Sequence, residues 1–238
     1  MPAAATGYPI CSRNNQRKTL PIIIGSWNVR TLLDNDNLPR RRTAVVAHEL
    51  LRYNIDICAL AETRFHGEDS LEETGEGYTF FWKGVEPGNI RQHGVGFAIK
   101  TSLLRNMVET PVGINERLMT WRIPLVKGRY ATLVSAYAPT LGADADTKEA
   151  FYDTLNLTLD RIPKQDKILL LGDFNARVGV DHNIWPGIIG RHGTGKCNSN
   201  GLRLLTQCAQ HNLTITNTLF QLKNKYKVSW KHPRSAQW

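Results

Sequence analysis

The chain has 238 residues, 41% of them hydrophobic, which fits one large α/β domain or two small ones with ample core. No apolar run approaches the 18 or more residues needed to cross a membrane, and residues 1–9 lack the basic start and apolar stretch of a signal peptide. The formal net charge of +9 favours a polyanionic partner such as nucleic acid, and neither a membrane nor an obligate protein partner is indicated.

The first third of the chain predicts a βαβ unit behind a leader. Residues 1–20, with their Pro, Asn and Arg content, are predicted to form a flexible leader, and residues 21–238 one domain without an internal linker. A strand over residues 21–31 is predicted to be buried and carries Asn28 near its end, a helix spans residues 40–53, and a strand over residues 55–61 ends at Glu62. Strands joined by a helix run parallel, so Asn28 and Glu62 are predicted to lie close together.

A β-rich middle and two further helices follow. The residues of the predicted strands are 78–82, 95–100, 119–125, 129–138, 168–171 and 213–217, and those of the helices are 147–161 and 201–210. The fourth of these strands carries Tyr137 at its tip. The apolar run 168–171 does not alternate, which predicts a strand buried on both faces. Gly172 then breaks this strand, and Asp173 and Asn175 follow it.

Polar side chains thus follow four predicted strands. They are Asn28, Glu62, Tyr137 and the pair Asp173 and Asn175. Any one of them could be an ordinary turn residue, but ligands of open α/β sheets bind at the carboxyl ends of strands. Carboxylate and amide oxygens suit Mg²⁺ or Mn²⁺ rather than zinc, and such ions commonly serve phosphoryl chemistry. The pattern therefore predicts a metal-dependent phosphodiesterase that acts on nucleic acid.

The positive charge is concentrated late in the sequence. The last acidic residue is Asp181, and eight basic residues follow it, whereas residues 1–181 are nearly neutral. Aromatic residues lie among these basic ones, which is typical of nucleic-acid binding, although basic runs also occur on ordinary solvated surfaces. The candidate nucleic-acid-binding residues of this basic tail are Lys223, Lys225, Lys227, Trp230 and Arg234.

The four cysteines form no CxxC pair, so neither a structural zinc site nor a disulfide framework is predicted. A reduced intracellular compartment is the default for such a chain. A nuclear location would follow only from a DNA substrate.

Five short motifs occur in the order found in a known family. They are Trp-Asn-Val-Arg at 27–30, Ala-Glu-Thr-Arg at 61–64, His-Gly-Val-Gly-Phe-Ala-Ile at 93–99, Ser-Ala-Tyr-Ala-Pro at 135–139 and Leu-Gly-Asp-Phe-Asn at 171–175. Together they resemble the endonuclease/exonuclease/phosphatase superfamily, from about Ile22 to the final residue. Residues 28–33, 115–119 and 230–235 most resemble the endonuclease domains of non-LTR retrotransposons and the related craniofacial development protein 2 sequences.

The resemblance implies a two-sheet α/β sandwich of the deoxyribonuclease I-like type and Mg²⁺-dependent hydrolysis of a phosphodiester in duplex DNA. By matching motif, Glu62 would be the metal ligand, with Asn28 beside it touching metal-bound water or phosphate. Asp173 would orient the nucleophilic water, Asn175 would hold the phosphate, and Tyr137 would lie near the scissile group. The motif arginines predicted to contact nucleic acid are Arg30, Arg64 and Arg117.

The sequence departs from the abasic-site repair enzymes of this family at two positions. Those enzymes carry Asn-x-Asp on the first strand, where this chain has Asn28-Val29-Arg30. They also carry an Arg that probes the abasic gap, where ungapped counting gives Ala143. Both departures favour nicking of ordinary duplex DNA over abasic repair.

The family's later motifs, Ile-Asp-Tyr and a final Ser/Thr-Asp-His, are expected after Trp238 and do not occur in this sequence. They supply an acid/base dyad, and the seven histidines present match none of its roles; His93 and His48 are interpreted as structural or surface residues. We therefore expect this polypeptide alone to be inactive or nearly so, and less stable than the complete domain because a sheet edge is left unpaired.

Two alternatives remain beside the DNA-nicking hypothesis. One keeps the enzyme class but changes the substrate to RNA, an inositol phosphate or a lipid head group, because substrate choice depends on loops. The other is a non-catalytic remnant that binds nucleic acid through residues 223–234.

Overall fold

The computed structural model describes residues 21–35, 40–105, 107–223 and 226–227. The predicted leader at residues 1–20 lies outside the described residues. The strands are β1 (Ile24–Asn28), β2 (Ile57–Ala61), β3 (Glu68–Glu73), β4 (Tyr78–Lys83), β5 (Val95–Lys100), β6 (Val112–Asn115), β7 (Leu118–Pro124), β8 (Tyr130–Tyr137) and β9 (Lys167–Asp173). The α-helices are α1 (Arg42–Arg52), α2 (Thr101–Leu104), α3 (Ala145–Asp160) and α4 (Ser199–Gln210). Within the described ranges, no helix is long and apolar enough to span a bilayer.

The strands form two sheets that each contain one parallel pair. The first sheet has the order β1-β2-β5-β4-β3, and the second has the order β6-β7-β8-β9. Strand β1 runs parallel to β2, and β8 runs parallel to β9, because each pair is joined through a helix. The remaining neighbours are antiparallel. This confirms the predicted βαβ unit at the start of the domain.

The two sheets pack face to face, and a helix covers the outer face of each. The inter-sheet core combines side chains such as Ile57 and Phe97 from the first sheet with Trp121 and Leu133 from the second. Helix α1 lies on the far side of the first sheet and α3 on the far side of the second, with α4 beside α3. The predicted two-sheet α/β sandwich is therefore confirmed.

Two strands were not predicted, and one predicted strand is wrong. Strand β3 carries four acidic residues among six, so its sequence has no apolar alternation, and it forms because β4 pairs with it. The short β6 pairs irregularly with β7. Residues 213–217 were predicted as a strand, but Ile215 makes a single parallel bridge to Ile189 before Thr216–Thr218 turn into a 3-10 helix.

The burial predicted for two strands is also wrong. Strand β9 does pack side chains on both faces, Leu169 and Leu171 toward the inter-sheet core and Ile168 and Leu170 toward α3. Its residues are nevertheless only partly buried, because β9 is an edge strand among the described residues. The other parallel edge strand, β1, is likewise partly exposed, and 40% of Trp27 is accessible.

Candidate active site

The carboxyl ends of four strands meet at one end of the sandwich. Parallel pairing places Asn28 beside Ala61, one residue before Glu62. In the second sheet, parallel pairing places Tyr137 directly beside Asp173. Strands β1 and β9 contact each other across the sandwich, which joins the two pairs. The topology thus brings together the polar groups that the sequence predicted at strand ends.

A single amide links the two carboxylates of this cluster. The Nδ2 group of Asn28 donates to Glu62 Oε1 at 2.8 Å and to Asp173 Oδ2 at 2.9 Å. The hydroxyl of Tyr137 donates to the same Glu62 oxygen at 3.1 Å. The predicted proximity of Asn28 and Glu62 is confirmed, and the amide protons let two carboxylates from different sheets lie close together.

The same local turn ends β1 and β9. The Oδ1 of Asn28 accepts from the backbone N–H of Arg30 at 2.9 Å, and the Oδ1 of Asp173 accepts from the backbone N–H of Asn175 at 3.0 Å. These are Asx turns, in which a short polar side chain replaces a backbone acceptor. Arg30 and Asn175 have φ values of 63° and 47°, and Glu62 also lies in the left-handed region at 59°. Left-handed non-glycine residues are uncommon and concentrate at functional sites.

Glu62 is held in its charged form. Burial of this carboxyl raises its pKa, but hydrogen bonds from Asn28, Arg64 and Tyr137 together outweigh burial, and the pKa lies below its usual range. Arg64 contributes the charged bond, from Nη2 to Glu62 Oε2 at 2.9 Å. Glu62 is therefore a carboxylate at neutral pH.

Tyr137 is held in its protonated form. Burial, followed by the charge of Glu62 and the hydrogen bond to it, raises the pKa of the Tyr137 phenol to about 12. The phenol therefore keeps its proton at neutral pH and directs it at Glu62.

Two of the three motif arginines contact this centre through their side chains. Arg30 follows β1 and is exposed, and Arg64 is bonded to Glu62. Arg117 lies on the other side of Tyr137, with its Cζ 5.6 Å from the ring centroid and its Nη1 donating to the Tyr137 carbonyl at 3.2 Å. Burial lowers the pKa of Arg117, but a guanidinium stays charged in proteins. In the described part of the chain it forms no ion pair with a carboxylate.

His93 is a site residue that the sequence interpretation left aside. Arg117 Nη2 lies 2.9 Å from His93 Nε2, and an arginine can only donate, so the imidazole accepts there and carries its proton on Nδ1. That Nδ1 is buried without a partner among the described residues. Burial, and then the Arg117 charge, lower the pKa of His93, so it is neutral. Its position follows from the sheet, because Ala61 pairs with Val95 and this puts His93 beside the residues after β2. No pattern in the sequence indicates that pairing.

The predicted basic tail is described only in part. Lys223 and Lys227 lie at its beginning, and the Lys223 carbonyl accepts from the backbone N–H of Tyr226 at 2.8 Å. Three other predicted contacts, Lys225, Trp230 and Arg234, lie outside the described residues. Their binding of nucleic acid stays a prediction.

Fold and site together define a class of protein, the deoxyribonuclease I-like α/β sandwich with a polar cluster at the carboxyl ends of its inner strands. The family model described as "Endonuclease/Exonuclease/phosphatase family" matches residues 25–224, and the chain belongs to this family. Members of the family are hydrolases that act on phosphodiester bonds, and they commonly use divalent metals.

Relatives and solved structures agree with this assignment. Over 210 residues, or 88% of this chain, it is 32% identical to craniofacial development protein 2 of Bos taurus and 30% identical to that of Tragulus javanicus. The chain spans about a third of the length of these curated relatives, 33% and 34%. Its fold is similar to that of the AP endonuclease LMAP from Leishmania major, with a TM-score of 0.51 and 13% identity over 79% of this chain and 66% of that one.

Proposed function

We propose that this domain hydrolyses phosphodiester bonds in duplex DNA with the help of a divalent metal, as a nicking endonuclease of the retrotransposon type. The observation that carries the proposal is the Asn28 amide that bridges Glu62 and Asp173. It places a carboxylate suited to a metal beside a second carboxylate suited to a water molecule. Such a pair separates electrophilic assistance from activation of the nucleophile.

Each residue of the cluster has a distinct task in this proposal. Asp173 accepts a proton from an attacking water and orients it, because in the described part of the chain its Oδ2 accepts from a single donor, Asn28. Asn175 uses one amide proton on the Ala138 carbonyl at 3.0 Å and keeps the other for a phosphate oxygen. Tyr137 holds its proton beside the reacting group, and Arg117 adds positive charge behind it.

The residues present fit Mg²⁺, with Mn²⁺ as its usual substitute. Mg²⁺ is often held by one or two carboxylates plus water and substrate phosphate oxygens, and Glu62 supplies a charged carboxylate whose side chain is 17% exposed. The Oδ1 of Asn28 is bonded to the Arg30 N–H, so metal ligation by Asn28 stays a prediction that requires this bond to open. When bound, the ion polarises the phosphate and offsets the charge that develops on it.

Duplex DNA is the substrate that the charges favour. The chain carries a net charge of +9, and two motif arginines, Arg64 and Arg117, contact residues of the cluster. Neutralisation of backbone phosphates by such residues supplies most of the affinity of non-specific DNA binding. The Leishmania protein of similar fold is an AP endonuclease, which is consistent with DNA as the substrate.

One observation favours a second candidate, binding of nucleic acid without catalysis. Among the described residues, no histidine is hydrogen bonded to Asp173 or Asn175, and the imidazole of the nearby His93 accepts from Arg117 instead. We propose that full activity requires the family's Ile-Asp-Tyr and Asp-His motifs in the same polypeptide.

A supercoiled-plasmid assay tests this proposal. The printed polypeptide and a version extended by the two family motifs would be compared in Mg²⁺ and in EDTA. We expect Mg²⁺-dependent nicking by the extended polypeptide and at least tenfold less by the printed one. Salt-sensitive DNA binding by both without nicking would favour the non-catalytic function. If the protein released phosphate from an inositol or lipid phosphate and left the plasmid intact, that phosphate compound would replace DNA as the proposed substrate.

Arg64 provides a prediction for metal binding. Its guanidinium bonds to Glu62 Oε2, so it competes with a cation for that oxygen. We expect Arg64→Gln to bind Mn²⁺ about two- to fivefold more tightly in calorimetry, since a partly exposed ion pair contributes up to about 1 kcal/mol. The same variant should bind duplex DNA more weakly, because it has lost a positive charge.

The matched control is Arg52→Gln, which breaks a more exposed Arg–Glu pair on α1 at 2.6 Å. It should leave Mn²⁺ affinity unchanged. Unchanged or weaker Mn²⁺ binding in Arg64→Gln would show that the metal does not use the oxygen that Arg64 occupies.

A further inference from the structure

The start of α4 is hydrogen bonded to two loops, the one that follows Tyr137 and the one that follows Asp173. The backbone N–H of Asn198 donates to the Arg177 carbonyl at 3.0 Å, and its side-chain Oδ1 accepts from the N–H groups of Arg177 and Gly201 at 3.1 and 2.7 Å. A Cβ at Gly201 would lie 1.8 Å from the Arg177 carbonyl oxygen, so only glycine permits this approach. The helix end is therefore fixed to the loop that follows Asp173.

Asn200, the second residue of α4, bridges both loops. Its Nδ2 donates to the Pro139 carbonyl and to the Asn175 carbonyl, each at 3.0 Å, and the residue is 2% exposed. Pro139 follows the strand that ends in Tyr137, whereas Asn175 follows the strand that ends in Asp173. Both amide protons of Asn200 are thus used to hold one loop against the other.

A second set of hydrogen bonds joins the same two loops closer to Asp173. The Asn175 side chain donates to the Ala138 carbonyl at 3.0 Å, and the Ala138 N–H donates to the Asp173 carbonyl at 2.9 Å. These bonds set the direction of the Asn175 amide and its distance from Asp173. They require the two loops to keep their present separation, and the Asn200 side chain joins the same two loops.

We infer that Asn200 is a positioning residue, which fixes the Asn175 amide and the Tyr137 loop relative to Asp173 for the phosphodiester reaction. The inference rests on the proposed function for its catalytic part. Asn200 itself is buried and does not contact the substrate. It acts on the site through its hydrogen bonds to the carbonyls of Pro139 and Asn175. A misplacement of about 1 Å at a reacting centre lowers the rate on the order of a hundredfold.

Two variants test the inference. Asn200→Asp keeps the shape but replaces the donor by an acceptor against two carbonyls, and Asn200→Ser is too short to bridge both. Hydrogen exchange of the Ala138 and Asn175 amides is measured by NMR. The values of kcat and KM for plasmid nicking are measured with the same substitutions in the extended polypeptide. We expect exchange of both amides at least about tenfold faster, and kcat lower by about ten- to a hundredfold, with KM within about threefold of wild type.

Thr132→Val is the matched control. It removes a buried hydrogen bond, from Thr132 Oγ1 to Asp166 Oδ2 at 2.9 Å, at the opposite end of the same strand pair. It should lower the melting temperature without changing exchange at Ala138 or Asn175, or kcat.

The outcomes separate the inference from the proposed function. Unchanged exchange in both Asn200 variants overturns the bridge, whatever the activity. Faster exchange with an unchanged kcat overturns the positioning role. If the extended polypeptide with the wild-type Asn200 nicks no DNA, the proposed function is refuted, while the exchange rates still decide whether Asn200 holds the two loops. If amide exchange rose uniformly across the domain, and rose as much in Thr132→Val, the positioning role would be overturned and Asn200 would contribute only to stability.

Discussion

Asp173→Asn should lower the rate of DNA nicking by about a thousandfold while the domain stays folded. Asn has the shape of Asp, and its one oxygen can keep one of the two hydrogen bonds that Asp173 accepts, from Asn28 Nδ2 at 2.9 Å or from the Asn175 N–H at 3.0 Å. The variant loses the negative charge that attracts a proton from water, and general-base catalysis contributes about a hundred- to ten-thousandfold. The measurement is single-turnover nicking of supercoiled plasmid by whichever polypeptide, printed or extended, is active.

The charge change must be separated from the catalytic change. Asp153→Asn on the exposed face of α3 alters the net charge by the same amount and should leave the rate within about twofold. Asp173→Asn should bind duplex DNA as well as or better than wild type, because a negative charge near the phosphates is gone. A loss of less than tenfold would mean that Asp173 does not act on the nucleophile. A large drop in melting temperature would mean that the variant reports on folding instead.

The position of the site could be predicted from topology alone. A βαβ unit requires parallel strands, so the ends of β1 and β2 had to meet. As a result, Asn28 Nδ2 lies 2.8 Å from Glu62 Oε1. The same reasoning applies to β8 and β9 across α3, which pairs Tyr137 with Asp173. These placements depend on chain direction and connection, which apolar runs and turn residues reveal.

Other features could not be predicted, because they depend on tertiary partners. The acidic β3 is a strand only because β4 offers it a hydrogen-bonding edge. His93 and Asn200 enter the site through contacts with Arg117 and with two backbone carbonyls that lie far away in sequence. Single-sequence patterns carry no information about which buried carbonyl an amide will meet.

Partial burial of β9 shows the limit of apolar patterns in another way. Its leucines alternate between two faces that both carry a core, which explains a continuous apolar run. The run predicts which faces are covered but not whether a further strand lies alongside. Among the described residues none does, so a correct prediction of the faces gave a wrong prediction of burial.

Gly172→Ala should destabilise the domain by roughly 2–4 kcal/mol and lower its melting temperature by roughly 5–15 °C. Gly172 has a φ of 139°, and a Cβ there would lie 1.9 Å from the Ala136 carbonyl oxygen. An L-residue is strained at that φ, and overpacking of a close contact typically costs about 1–3 kcal/mol on its own. For a domain of this size each kcal/mol corresponds to about 2–4 °C, and thermal and urea unfolding measure both quantities.

The same substitution should reduce nicking at temperatures where the variant is still folded. Relief of the clash requires β9 to move away from β8 at Ala136, one residue before Tyr137 pairs with Asp173. The Tyr137 loop and Asp173 then separate, so kcat should fall at least about tenfold. Gly142→Ala is the control, since a Cβ there meets no atom within 4 Å and stability and rate should be unchanged. Wild-type stability in Gly172→Ala would mean that β8 and β9 are farther apart than the structure places them, and the pairing of Tyr137 with Asp173 would have to be abandoned with it.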